Sequence, residues 1–224
     1  MSQSVKAVLF DMDGVIVDSE PLHHKAYHLM FEEVGIEVEP ELYASFTGQA
    51  TLAICQTLVK HFSLSHRPED LVEIKRQYFK ALFDNDKSFD LLPGVLSLIQ
   101  DYYNQGLVLI LASSASMANI NRIFDRFDLN QYFKAKLSGA DLKASKPHPE
   151  IFINAAQAAA VPPEYCVVIE DSENGIAAAK AAGIFAIAYD SPHSKAQNYQ
   201  MADHVVQCFS EIHFKALQKI KASR

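Results

Sequence analysis

Residues 5–14 read VKAVLFDMDG, and this stretch decides the fold. Val5 to Phe10 form an apolar run, broken only by Lys6 near its start, that stops at Asp11. Strict alternation would mark a strand with one wet face. A continuous run marks a strand covered on both faces, as in parallel sheets. The run then gives way to two acids two residues apart, Asp11 and Asp13, which leave a strand tip on the same side. Gly14 behind them lets the backbone turn tightly.

Similar apolar runs recur downstream at 107–113 (LVLILAS), 165–170 (YCVVIE) and 184–189 (IFAIAY), with a weaker one at 204–208 (HVVQC). Helical patterns separate them. Ile120, Ile123, Phe124 and Phe127 share a face over 117–127; residues 149–161 are rich in alanine; 172–183 end at Gly183, suited to a helix C-terminus. Strand–helix alternation of this kind predicts an α/β core, a doubly wound Rossmann-like parallel sheet with its ligand site at the carboxyl ends of the strands.

Residues 18–88 break the alternation. A helix is expected from Ser19 as N-cap, with Glu20 and Pro21 in its first turn, to about Val34, where Gly35 can end it. A second covers about 51–62. A third follows Pro68, with Leu71, Ile74, Tyr78 and Leu82 on one face. The pattern predicts a small helical cap domain, residues 17–88, inserted after the first strand of a core made of 1–16 and 89–224.

The charge balance, 20 basic against 27 acidic residues for a net −7, disfavours nucleic acid as a partner. No stretch approaches the roughly 20 apolar residues of a membrane span. The N-terminal apolar run is short and soon acidic, unlike a signal peptide. Cys55, Cys166 and Cys208 are odd in number, far apart and form no C-x-x-C pair, which suggests reduced thiols and a cytoplasmic setting. Cys166, inside YCVVIE, reads as a small buried hydrophobe. A monomer is the expected state.

Four clusters carry chemistry, and each has a competing plain reading. Asp11 and Asp13 can supply a nucleophile and a proton-transfer group beside a divalent cation, or be an acidic turn. Ser113 and Ser114 can hold a phosphate oxygen through a hydroxyl and a backbone N–H, although a serine after a strand is commonly a helix cap, a part open to Ser116. Lys146, in KPHP, can neutralise a phosphoryl group, or be a solvated surface lysine. Glu170 and Asp171 can ligate Mg²⁺, while Asp171 or Ser172 can cap the next helix. All four fall at expected carboxyl ends of strands. Together they supply what phosphoryl transfer requires, positioning and charge neutralisation. No G-x-G-x-x-G or P-loop pattern is present.

The pieces FDMDGVIVDSE, LASS, SKPHPEIF and VVIEDSENGI, in this order over residues 10–176, resemble the haloacid dehalogenase superfamily, and within it the beta-phosphoglucomutase-like and sugar-phosphate phosphatase group. The resemblance implies the following roles. Asp11 is nucleophile and Mg²⁺ ligand. Asp13 protonates the leaving group and then activates water, with its carbonyl on the metal. Ser113 and the Ser114 N–H bind phosphate, and Lys146 balances charge. Asp171 completes the metal site, with Glu170 a ligand or a group behind the ligands. The insert corresponds to a mobile cap that closes over substrate and sets specificity. Asp13 favours phosphate-ester chemistry over carbon–halogen or carbon–phosphorus cleavage.

The chain departs from the mutases in two places. Thr47-Gly48-Gln49-Ala50-Thr51 has no cation after the glycine, and Ser114-Ala115-Ser116-Met117 lacks a Lys-Asn pair. A mutase must hold two phosphates, so these departures favour hydrolysis. His23 matches a histidine of the mutase-like group and is a candidate substrate or proton-relay contact, against an ordinary helix-surface histidine. Thr47, Gly48, Lys75 and Arg76 are further candidates for substrate contact. The expected activity is Mg²⁺-dependent hydrolysis of a small phosphorylated metabolite, a sugar phosphate, through an aspartyl-phosphate. A hexose-phosphate mutase is the alternative, and a non-catalytic phosphometabolite-binding regulator the third reading.

Overall fold

The computed structural model describes residues 4–46, 49–191 and 197–223. Strand β1 (Ala7–Phe10) is followed by four helices, α1 (Glu20–Val34), α2 (Pro40–Ala44), α3 (Thr51–His61) and α4 (Pro68–Asn85). Strands and helices then alternate: α5 (Val95–Asn104), β2 (Val108–Ser113), α6 (Met117–Arg126), β3 (Ala135–Ser138), α7 (Glu150–Ala159), β4 (Cys166–Glu170), α8 (Glu173–Ala181), β5 (Phe185–Tyr189), β6 (His204–Val206) and α9 (Phe214–Ala222).

The strands form one parallel sheet in the order β3-β2-β1-β4-β5-β6. The chain winds outward from β1 to β3, then returns to the far side of β1. This is the doubly wound α/β architecture expected from the sequence. The winding reverses between β1 and β4, where such sheets open a crevice at their carboxyl ends. Phe10 sits opposite Leu111 on one side and Ile169 on the other, so the three central strands end nearly level.

Ala7 to Phe10 are buried along their whole length. Leu9 packs with Ile110, Val168 and the inner faces of α7 and α8, including Phe152, Ala155 and Ile176. Alanines on those faces let the helices lie close to the sheet. On its other side Phe10 meets Tyr102 and Phe133, with ring centroids 6.2 and 5.6 Å away. The Tyr102 hydroxyl donates to the Ile212 carbonyl. Burial of each such large side chain contributes about 1.5–3 kcal/mol.

The chain divides into two compact units, Met1–Asp18 with Leu91–Arg224, and Ser19–Asp90. The expected insert, 17–88, is thus displaced by two residues. Val17 pairs antiparallel with Leu91, and the Leu92 N–H donates to the Ile16 carbonyl at 2.9 Å, which keeps both connecting segments with the sheet. The insert is helical as expected. Tyr27, Met30 and Phe31 of α1 pack with Ile54, Cys55 and Leu58 of α3 and Leu71 and Val72 of α4. Gly35 ends α1 at φ +70°, in the left-handed region.

The structure adds elements that the sequence pattern did not announce: α2, α5, α9 and the edge strand β3. It also rotates the expected face of α4. The buried positions are Leu71, Val72, Lys75, Phe79 and Phe83, whereas Ile74, Tyr78 and Leu82 are half-buried.

Candidate active site

Asp11 begins where β1 ends, and its backbone N–H still donates to the Ile169 carbonyl of β4 at 3.0 Å. The chain then turns sharply. The Met12 carbonyl accepts from Ile16 and Val17, the Gly14 N–H donates to the Val17 carbonyl, and Gly14 stands at φ +82°. A side chain at Gly14 would collide with the Asp171 carboxylate, whose oxygen lies 2.0 Å from the Cβ position. The glycine therefore serves the close approach of Asp171 as well as the turn.

Lys146 reaches into the same place. It is 9% exposed, and its three ammonium protons meet three acceptors: Asp11 Oδ1 at 2.5 Å, Glu170 Oε1 at 2.7 Å and the Ala112 carbonyl at 3.1 Å. One cation thus ties the tips of β1, β2 and β4 together. Lys146 is not the solvated surface lysine of the plain reading. Burial alone would lower its pKa, but the Asp11 and Glu170 carboxylates outweigh burial and raise it, so the ammonium stays charged.

Glu170 is 1% exposed. Its second oxygen accepts from the Ser172 N–H at 2.8 Å and the Ser172 hydroxyl at 2.9 Å. The Ser172 hydroxyl also accepts from the Gly175 N–H at 3.0 Å, capping α8. A Cβ on Gly175 would fall 1.8 Å from Glu170 Oε1, so this glycine makes room for the acid. Asp171 is half-buried, and its carbonyl accepts from the Tyr199 hydroxyl at 2.8 Å.

Ser113 ends β2, fully buried, and its hydroxyl accepts the Ala115 N–H at 3.0 Å. Ser114 is exposed. The turn is braced from β3: the Ser138 hydroxyl donates to the Ala115 carbonyl at 2.8 Å, and a Cβ on Gly139 would lie 3.3 Å from Ser114 Cα. Ser138, Ser172 and the Ala112 carbonyl belong to the site's framework. The sequence reading did not find the first or the last; a backbone acceptor leaves no residue-type signal.

Burial first pushes Asp11 up to about 7; the neighbouring Glu170 and Asp13 charges add to it, and Lys146 pulls the other way. Asp11, Glu170 and Asp13 act against one another and are opposed by the single charge of Lys146, which leaves an excess of negative charge. Asp11, Asp171 and the Asp13 carbonyl are hard oxygen donors suited to Mg²⁺, and a divalent cation would relieve the crowding that raises Asp11. The residues present fit such an ion. Among the described residues no three His, Cys, Asp or Glu side chains are preassembled as a ligand group.

In the helical unit, His23 is half-buried, not an ordinary surface residue. Its Nδ1 lies 2.7 Å from the Lys75 ammonium, and its ring stacks on Phe79 at 4.4 Å. Burial, then the Lys75 charge, holds its pKa well below the usual range, so His23 is neutral. Thr47 and Gly48, also expected to touch substrate, lie outside the described residues, and Arg76 is exposed.

A doubly wound sheet whose central strand tips gather acids around one buried ammonium belongs to a known class of hydrolases. The chain is a member of the haloacid dehalogenase-like hydrolase family, whose model matches residues 8–189. It is 30% identical over 218 residues to Hexitol phosphatase B of Escherichia coli (strain K12), covering 96% of this chain and 97% of that protein. It is 32% identical to the Phosphorylated carbohydrates phosphatase of Thermotoga maritima, covering 85% of this chain and 87% of that one. Among solved structures, beta-phosphoglucomutase from Clostridium difficile superposes with a TM-score of 0.85 at 26% identity, covering 98% of each chain. The expected family and its beta-phosphoglucomutase-like group are thereby established.

Proposed function

We propose that this enzyme is a Mg²⁺-dependent phosphatase that hydrolyses a small phosphomonoester, a sugar phosphate, through an aspartyl-phosphate on Asp11. The observation that carries the reading is the Lys146 ammonium between Asp11 and Glu170, with Asp171 against Gly14. The names of the two phosphatase relatives support the substrate class.

An Asp11 carboxylate oxygen attacks phosphorus in line with the ester oxygen. Asp13 gives its proton to that oxygen, and the alcohol leaves. Asp13, now a carboxylate, takes a proton from water; the water oxygen attacks phosphorus, and the Asp11–phosphorus bond breaks to release inorganic phosphate. Lys146 offsets charge on the nucleophile and the phosphoryl oxygens, while Glu170, with both oxygens engaged, orients Lys146. The Ser113 hydroxyl and the Ser114 N–H hold a phosphoryl oxygen. Asp11, Asp171 and the Asp13 carbonyl would hold Mg²⁺, which supplies electrostatic stabilisation of the phosphoryl oxygens. The thiols of Cys55, Cys166 and Cys208 are free, which agrees with a cytoplasmic setting.

The test is release of nitrophenol from an aryl phosphate. Activity should require Mg²⁺, and Asp11→Asn should lower kcat by about a thousandfold or more. Inactivity of the native protein, or an unaltered rate in the variant, rejects the reading. A mutase is the second reading, favoured by the Clostridium difficile relative and opposed by the lack of a cation in Gln49-Ala50-Thr51, the stretch after Gly48 where the mutases carry one. Glucose 6-phosphate formed from beta-glucose 1-phosphate with a bisphosphate activator would select it; inorganic phosphate as the sole product would exclude it.

A further inference from the structure

Helix α1 carries Glu20, His24, His28 and Glu32 at four-residue intervals, all exposed. Residues four apart on a helix stand one above the other. Here His24 Nε2 and His28 Nε2 approach to 3.1 Å. Between two neutral imidazoles this contact uses one N–H donor and one lone pair. It is also the separation of two ligands on one metal: at the usual Zn–N distance of about 2.0–2.1 Å, tetrahedral coordination sets the two nitrogens about 3.3 Å apart. Tyr43 flanks the pair, with ring centroids 5.0 Å from His24 and 5.6 Å from His28. The Glu20 charge acts on that phenol, which places an acid at the same corner.

We propose that His24 and His28 form a bidentate site for an imidazole-seeking divalent ion of the zinc, copper and nickel group, with water filling the remaining positions. The donors are nitrogens, so the site rejects Mg²⁺ and is chemically separate from the carboxylate centre at Asp11. Both ligands come from one helix one turn apart, so the ion binds only when that turn is helical and braces it. His23, one residue before His24, sits on the same turn and faces Lys75.

The test is calorimetric titration of Zn²⁺ into the full-length protein in excess Mg²⁺, which occupies the acidic centre. One Zn²⁺ should bind, His24→Ala and His28→Ala should each weaken it by about tenfold or more, and the double variant should lose it. Zn²⁺ should raise Tm in the native protein and not in the double variant. Both substitutions are on the surface of a helix and introduce its best former, so the variants should fold; far-ultraviolet circular dichroism checks this. His66→Ala, which removes another exposed histidine, should leave binding unchanged. Absence of binding in the native protein, or binding that survives both substitutions through other donors such as Cys208, overturns the proposal.

Discussion

Among the described residues each unit of the molecule buries one lysine, and the two are buried differently. Lys146, in the sheet unit, is 9% exposed and sits between two carboxylates. Lys75, in the helical unit, is 3% exposed and faces the lone pair of a neutral imidazole, with Tyr27 and Phe79 rings 4.8 and 5.3 Å from its ammonium. A buried ammonium needs compensation for lost water. Carboxylates provide it as full charge, and hold neighbouring acids in turn. An imidazole and aromatic faces provide it as dipole and quadrupole.

The comparison can be broken most directly at Lys146. Lys146→Met leaves Asp11 and Glu170 buried together without their cation. Breaking a buried pair from one side costs about 3–5 kcal/mol, so urea unfolding should record a loss of this size together with loss of turnover. Lys75→Met removes a charge that faces a neutral imidazole. The loss should be smaller, about 1–3 kcal/mol for a buried acceptor left unsatisfied, and the His23 proton affinity should rise in a nuclear magnetic resonance titration. Equal losses in the two variants would refute the distinction.

Acid should sharpen it further, through effects of opposite sign. The native pKa of Asp11 is raised from 3.8 to about 7. As pH falls from 7 towards 4 in the absence of a divalent cation, native Asp11 takes up a proton that the unfolded chain does not, and the sheet unit gains stability. The native pKa of His23 is lowered below its ordinary 6.5. As pH falls through 6.5 the unfolded chain binds the proton first, and the helical unit loses stability. Hydrogen exchange followed separately in β1 and in α1 between pH 7.5 and 5 should show protection moving in opposite directions. Mg²⁺ should flatten the response in β1 and leave that in α1 unchanged.

The central sheet was legible because β1, β2, β4 and β5 are covered on both faces and therefore read as unbroken apolar runs. Strand β3, AKLS, is a short edge strand with a lysine in it, and its burial is mostly partial. No apolar run announces it. The buried face of α4 departs from the expected one because its stripe is not purely apolar: it includes Lys75, which meets His23, 52 residues away. In the site, Asp11, Glu170 and Asp171 were legible from their places at expected strand ends, and Lys146 from its proline-fixed loop, KPHP. Ser138, the Ala112 carbonyl and the clearances at Gly14 and Gly175 arise from tertiary proximity, which residue types do not encode.

The three-way grip of Lys146 also has a consequence for how the enzyme comes into being. Its contact with Asp11 spans 135 residues of chain and that with Glu170 a further 24. Contacts of such sequence separation close late, because the intervening loop must be ordered first. A chain emerging from the ribosome cannot bring Asp11, Lys146 and Glu170 together until residue 170 has been made and β4 has docked beside β1. With the proposed activity at this cluster, appearance of turnover reports the docking of β4 beside β1, and a product truncated before residue 170, however helical, stays chemically silent.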